Sequence, residues 1–250
     1  PVINHAEDNF LVNDGVMNEG NASLRLGLSG NPSISESTMV FRDLSIAEYV
    51  SGKIHVPHIS TSESVDIIKL FKDKGVDITC EITPHHLCLS DEILFDYNTN
   101  SKVAPPIRSK ANQKKLVNAV KSGIIDCIAT DHAPHSIDDK ETDICSAACG
   151  MIGMETAFSL VYSTLKKEKI SINTILNLFS FNPSKIIGIT PNPIIENNEA
   201  EINIIDCEKK WIFNEKHIKS MSKNTPLLGR KMKGKVEFTI NKGFISKHKD

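Results

Sequence analysis

The sequence has no apolar run approaching the roughly 18 residues that a membrane-spanning helix needs, and no basic-then-apolar start of the kind that marks a secretory signal. It also lacks an excess of charge of either sign. The 29 Lys and Arg are set against 31 Asp and Glu, a net charge of −2 and a pI of about 6.6. No broad basic footprint for nucleic acid or an anionic membrane follows from that balance. The six cysteines (Cys80, Cys88, Cys127, Cys145, Cys149, Cys207) include no CxxC pair, so reduced thiols are expected rather than a disulfide framework. Cys145 and Cys149 stand four apart but have no second pair to complete a soft metal site. Repeats and low-complexity linkers are absent as well. With these features absent, a cytoplasmic location and a small-molecule partner are the expectation.

With 250 residues, 40% of them hydrophobic and 24% charged, the chain can bury a sizeable core. Four short apolar runs, Val2–Asn4, Lys53–Ile59, Val76–Ile82 and Gly123–Thr130, read as strands. Most are followed by helical spacing, at Ser62–Lys74, Gln113–Lys121, Met154–Lys167 and Ile172–Phe179, with a further short turn reaching Ile187. That alternation is the pattern of parallel βα units. Beyond Pro191 it gives way to two β-rich runs, Glu201–Asp206 and Lys235–Ile240, joined by a Lys-rich segment. The expected division is an α/β unit over residues 1–195 and a β segment over 196–250. Because Pro1 is followed at once by Val2-Ile3, as if a strand were entered midway, truncation at the N-terminus is expected too.

The strand period of two places Ile54, Val56 and His58 on one face, and Ile125, Cys127, Ala129 and Asp131 on one face. His5 follows Ile3 in the same way. Each of these runs therefore ends in a ligand-type residue, at the strand ends where barrel and open α/β enzymes keep their active sites. Two imidazoles and a carboxylate converging there suit zinc, with a coordination position left for a water that would titrate near neutrality.

Several strings then fall in a familiar order: His5-Ala6-Glu7-Asp8, His55-Val56-Pro57-His58-Ile59-Ser60-Thr61, Glu81-Ile82-Thr83-Pro84-His85-His86-Leu87, Lys102-Val103-Ala104-Pro105-Pro106-Ile107-Arg108 and Ala129-Thr130-Asp131-His132-Ala133-Pro134-His135. Gly150-Met151-Ile152-Gly153-Met154-Glu155-Thr156 and Ser222-Lys223-Asn224-Thr225-Pro226 complete the set. Together they resemble the motifs of bacterial dihydroorotases of the amidohydrolase superfamily, along essentially the whole chain.

The resemblance implies a (β/α)8 TIM-type barrel, of which this chain would supply strands five to eight and part of a small β subdomain. It implies a binuclear Zn2+ centre that interconverts N-carbamoyl-L-aspartate and L-dihydroorotate in pyrimidine synthesis. His5 and His58 would hold one metal and Asp131 the other. Asp131 would also shuttle the proton between bridging hydroxide and ring nitrogen. His135 would contact the substrate and Gly150 would offer it backbone groups, while His55, His85, His86 and His132 would support or pack. Ala104 stands in the substrate-binding stretch where family members commonly carry Asn. The family's first-strand HxH pair and its bridging Lys or Asp precede His5 in the family order and are not in this sequence, so the chain alone is expected to be inactive. A longer parent could form a homodimer or associate with aspartate transcarbamoylase. Two other readings stay open: a hydantoinase or allantoinase on the same scaffold, and a non-catalytic scaffold protein.

Overall fold

The computed structural model of the chain describes residues 1–248. Four parallel strands, Val2–Ile3, Ile54–Val56, Ile78–Ile82 and Cys127–Ile128, lie side by side in sequence order. They are called here the first to fourth strands. Helices Ile34–Val50, Ser62–Asp73 and Lys110–Lys121 connect successive strands, and Ala157–Lys167 and Ile172–Phe179 follow the fourth. The expected βα alternation is therefore present, with strands shorter than the apolar runs that announced them.

Alternation along the strands explains the layering. Ile54 and Val56, Ile78, Cys80 and Ile82, and Ile128 join Val65, Ile68, Phe71, Leu116, Val120, Val161 and Leu165 in one buried cluster between sheet and helices. Each fully buried aliphatic side chain of this kind contributes about 1.5–3 kcal/mol. Local signals fix the helix starts: Thr61 Oγ1 accepts from Ser64 N and Ser109 Oγ accepts from Asn112 N. Thr83 does the same for His86 N, with Pro84 at the first helical position.

The segment between the first and second strands holds structure that apolar spacing does not announce. It contains a short parallel ladder, Met17–Asn18 against Gly30–Asn31, and the 17-residue helix Ile34–Val50. That helix buries Ser35, Glu36 and Ser37 beside Val40, Leu44 and Ala47, and exposes Ile34, Phe41, Ile46, Tyr49 and Val50. A buried face that is half polar gives no clean 3.6-residue stripe.

The C-terminal strands are longer than expected. Glu201–Ile212, Lys231–Asn241 and Phe244–Lys247 form an antiparallel sheet, with register shifts at Ile204/Ile205 and between Asp206 and Lys210. These irregularities divide Glu201–Ile212 and hide its second half from a period-two reading. The sheet packs on helix Ala157–Lys167, where Ser159 Oγ donates to the Gly234 carbonyl and Trp211 Nε1 donates to it at 3.2 Å. A Cβ at Gly234 would lie 2.9 Å from the Tyr162 ring, and φ is +81° there, so glycine permits this close approach. Among the described residues no helix is long and apolar enough to cross a membrane.

Candidate metal centre

His5 follows the first strand, His58 the second and Asp131 the fourth, all beyond the strands' C-terminal ends. Strand alternation does not orient the last two. The second strand ends at Val56 and the fourth at Ile128, and His58 (φ 36°) and Asp131 (φ 46°) adopt left-handed backbone that re-aims their side chains. Sharing a face with Ile54 and Val56 is thus not what places His58.

His5 Nδ1 lies 3.0 Å from His58 Nε2. On its other side, His5 Nε2 lies 3.3 Å from Glu7 Oε2, and Glu7 Oε1 accepts from Asn31 Nδ2 at 2.8 Å. The hydrogen bond to Glu7 raises the pKa of His5 against the effect of burial. Burial pushes the Glu7 carboxyl up, but its bonds from His5 and Asn31 bring it below the usual range. For His58, burial and then the adjacent charge of His5 lower the pKa. The opposite shifts suit a proton carried on His5 Nδ1 and accepted by His58 Nε2. Asp131 lies further away. Its negative charge favours protonation of both rings, but the three groups are not gathered within 4.8 Å of one another.

A second group surrounds Gly150. His135 Nε2 donates to the Cys149 carbonyl at 2.9 Å, and a Cβ on Gly150 (φ +141°) would sit 2.8 Å from that nitrogen and 2.7 Å from the Ala133 Cβ. Asn224 holds this arrangement. Its Nδ2 donates to the carbonyls of Ala133 (2.9 Å) and Gly150 (3.2 Å), and its Oδ1 accepts from His135 N. Lys140 Nζ, buried beneath the loop, donates to the carbonyls of Ala148 and Gly150, and desolvation lowers its pKa to about 8. Ala104 is half-buried in the stretch leading to Pro105, whose ring lines a small cavity with His58 and Glu36.

Of the remaining histidines, His86 and His132 have hydrogen-bonded partners, whereas the buried Nε2 of His85 has none. His86 Nε2 donates to the Pro105 carbonyl at 2.8 Å, which leaves Nδ1 to accept from the Thr83 hydroxyl. His132 Nδ1 accepts from Gly153 N at 3.1 Å. His85 is fully buried, and desolvation followed by the charge of His58 lowers its pKa to about 3.

One supporting residue carries no sequence signal. Glu36 is buried beneath the second strand's loop and accepts from Thr61 N (3.1 Å), Thr61 Oγ1 (2.9 Å), Ser64 Oγ (2.7 Å) and both N and Oγ of Ser60. Arg108, equally buried, donates through Nε to Ser60 Oγ at 3.0 Å and through Nη1 to the Asn31 carbonyl at 2.7 Å. Two buried charges of opposite sign thereby meet through one serine, and together they brace the His58 loop and the Asn31 partner of Glu7.

The amidohydrolase family model matches residues 40–245, and the dihydro-orotase-like model matches residues 1–64. The chain belongs to the amidohydrolase family. It is 42% identical over 248 residues to a protein named dihydroorotase from Caldicellulosiruptor saccharolyticus, covering 99% of this chain and 58% of that one. A dihydroorotase from Desulforapulum autotrophicum is 40% identical over 245 residues, covering 98% and 57%. The chain therefore spans rather more than half the length of these relatives. Among solved structures, L-hydantoinase from Arthrobacter aurescens superimposes with a TM-score of 0.86 at 22% identity, covering 99% of this chain and 57% of that one. Dihydropyrimidinase from Brevibacillus agri gives 0.83 at 22%. At that identity the likeness is one of fold: the four βα units and the antiparallel sheet correspond to part of a TIM-barrel amidohydrolase.

Proposed function

We propose that this chain carries one part of the active site of a zinc-dependent dihydroorotase, which interconverts N-carbamoyl-L-aspartate and L-dihydroorotate. The observation that carries the reading is the 3.0 Å approach of His5 Nδ1 to His58 Nε2 at neighbouring strand ends. Two imidazole nitrogens facing each other across one proton are spaced for a divalent cation in that proton's place, since two nitrogens on tetrahedral zinc stand about 3.3 Å apart. The relatives named dihydroorotase support the substrate class.

In this reading His5 and His58 hold one zinc, with Glu7 fixing the ring orientation of His5 through Nε2. Asp131 belongs to the second zinc and carries a proton to and from the ring nitrogen of the substrate. Bound zinc supplies Lewis-acid polarisation of the cyclic amide carbonyl. His135 and the backbone around Gly150, held by Asn224, receive the substrate's polar groups. Ala104 gives the substrate no side-chain hydrogen bond, and this favours a second reading in which the cyclic amide is a hydantoin or allantoin.

The test pairs metal analysis with assays. The 250-residue chain is expected to bind zinc and to bind one zinc ion fewer per chain in a His5→Asn/His58→Asn variant, with no turnover by itself. A chain extended to the length of its relatives is expected to turn over dihydroorotate in preference to hydantoin and allantoin. A zinc stoichiometry unchanged when both histidines are replaced would overturn the centre. Preference for another cyclic amide would overturn the substrate.

A further inference from the structure

The face of the sheet turned away from the helix-covered core carries a second set of metal-ligand residues, separate from His5 and His58. In the second, third and fourth strands Ile54, Val56, Ile78, Cys80, Ile82 and Ile128 point into the helix-covered core. The residues between them, His55, Thr79, Glu81 and Cys127, therefore project from the opposite face. Register aligns them: His55 is opposite Thr79, and Glu81 is opposite Cys127. One nitrogen of His55, one carboxylate oxygen of Glu81 and the Cys127 sulfur lie within 4.8 Å of one another.

We infer that His55, Glu81 and Cys127 form a further divalent-metal site, suited to zinc and distinct from the His5–His58 pair. The ligand set is one imidazole, one carboxylate and one thiolate, a combination of borderline and soft donors that zinc accepts and that magnesium and calcium do not. Its spacing is already close to that of a bound ion. His55 Nε2 and Glu81 Oε2 are 3.1 Å apart, against about 3.3 Å for the edge of a tetrahedral zinc site with ligand bonds near 2.0–2.1 Å. His55 is oriented by a partner on its other nitrogen, with Nδ1 2.8 Å from the Thr79 hydroxyl. As Nδ1–H donates to Thr79, Nε2 becomes the free ligand nitrogen, which is the outer hydrogen bond that metal-binding histidines ordinarily keep. His55 and Cys127 are buried, and Glu81 keeps partial exposure through which an ion and one water could enter. Burial pushes the Cys127 thiol up to about 12, so binding must expel its proton: the S–H bond breaks, a sulfur–metal bond forms, and H+ passes to solvent.

The purified chain, stripped with chelator and titrated with Co2+, tests the site. A thiolate-to-cobalt charge-transfer band in the near ultraviolet is expected, saturating at one thiolate per chain. It should vanish in Cys127→Ser and weaken in affinity by roughly tenfold to a hundredfold in Glu81→Gln. It should persist in His5→Asn/His58→Asn, which separates this site from the centre proposed above, and in Cys145→Ser/Cys149→Ser. Peptide mapping after alkylation gives an answer that needs no variant: Zn2+ should protect Cys127 and not Cys145. A band that survives Cys127→Ser in a folded chain, or alkylation of Cys127 that Zn2+ does not slow, would overturn the inference and leave His55 and Glu81 as a hydrogen-bonded pair.

Discussion

The side-chain amide of Asn224 reaches the carbonyl oxygen of Gly150 at 3.2 Å and that of Ala133 at 2.9 Å, joining the C-terminal portion of the chain to two separate loops of the α/β layer. Asn224 is buried, so its loss leaves those carbonyls and His135 N short of partners. Asn224→Ala is expected to cost about 1–3 kcal/mol of stability, measured as a lowered urea midpoint at constant slope. Asn224→Asp, which keeps the acceptor for His135 N but turns an oxygen toward two carbonyls, should do no better.

Gly150→Ala is expected to displace His135. The added methyl meets the Ala133 Cβ and the His135 ring, and the positive φ adds strain of order 1–3 kcal/mol. A nuclear Overhauser contact or crystal structure should find the His135 bond to the Cys149 carbonyl broken. An unmoved imidazole would show that the loop yields more readily than its hydrogen bonds indicate.

Glu7 touches His5, not the proposed zinc. Replacing it with Gln removes the charge that holds the imidazole in place while keeping its size. Zinc affinity at the His5–His58 pair should fall about 10–100-fold by competition with a chelating dye.

Acid should destabilise the chain through His85 and His86. Burial lowers His85 to about 3 and His86 well below 6.5, so the unfolded chain takes up protons that the folded chain refuses. Their contribution is complete above pH 6.5 and is lost as pH falls from there toward about 3 in the case of His85. The loss is about 1.4 kcal/mol per pH unit for each group. Urea midpoints between pH 7 and about 4.5 should drop less steeply in His85→Gln than in the unaltered chain. Parallel slopes would assign acid sensitivity elsewhere.

The sheet and its covering helices could be read from the sequence because Ile54, Val56, Ile78 and Ile82, and then Val65, Ile68 and Phe71, repeat with the periods that a strand and an amphipathic helix require. Helix Ile34–Val50 could not, since the tertiary hydrogen bonds that Glu36 accepts, and the bond that the Ser35 hydroxyl donates to Asn31, replace the apolar stripe that a pattern search relies on. The same limit applies at the site. His5 and His58 stand out as residue types at strand ends, whereas the Glu36–Ser60–Arg108 network joins residues distant in sequence, and no local spacing encodes it. Backbone handedness at His58 and Asp131 is likewise invisible to a period-two count.

That handedness sets stability against function. Asp131 is exposed and sits at φ 46°, where glycine would relieve roughly 1 kcal/mol of conformational strain. Asp131→Gly should therefore yield a sturdier chain that has lost its proposed proton carrier. A screen for thermostable variants that ignored activity would be drawn to this position.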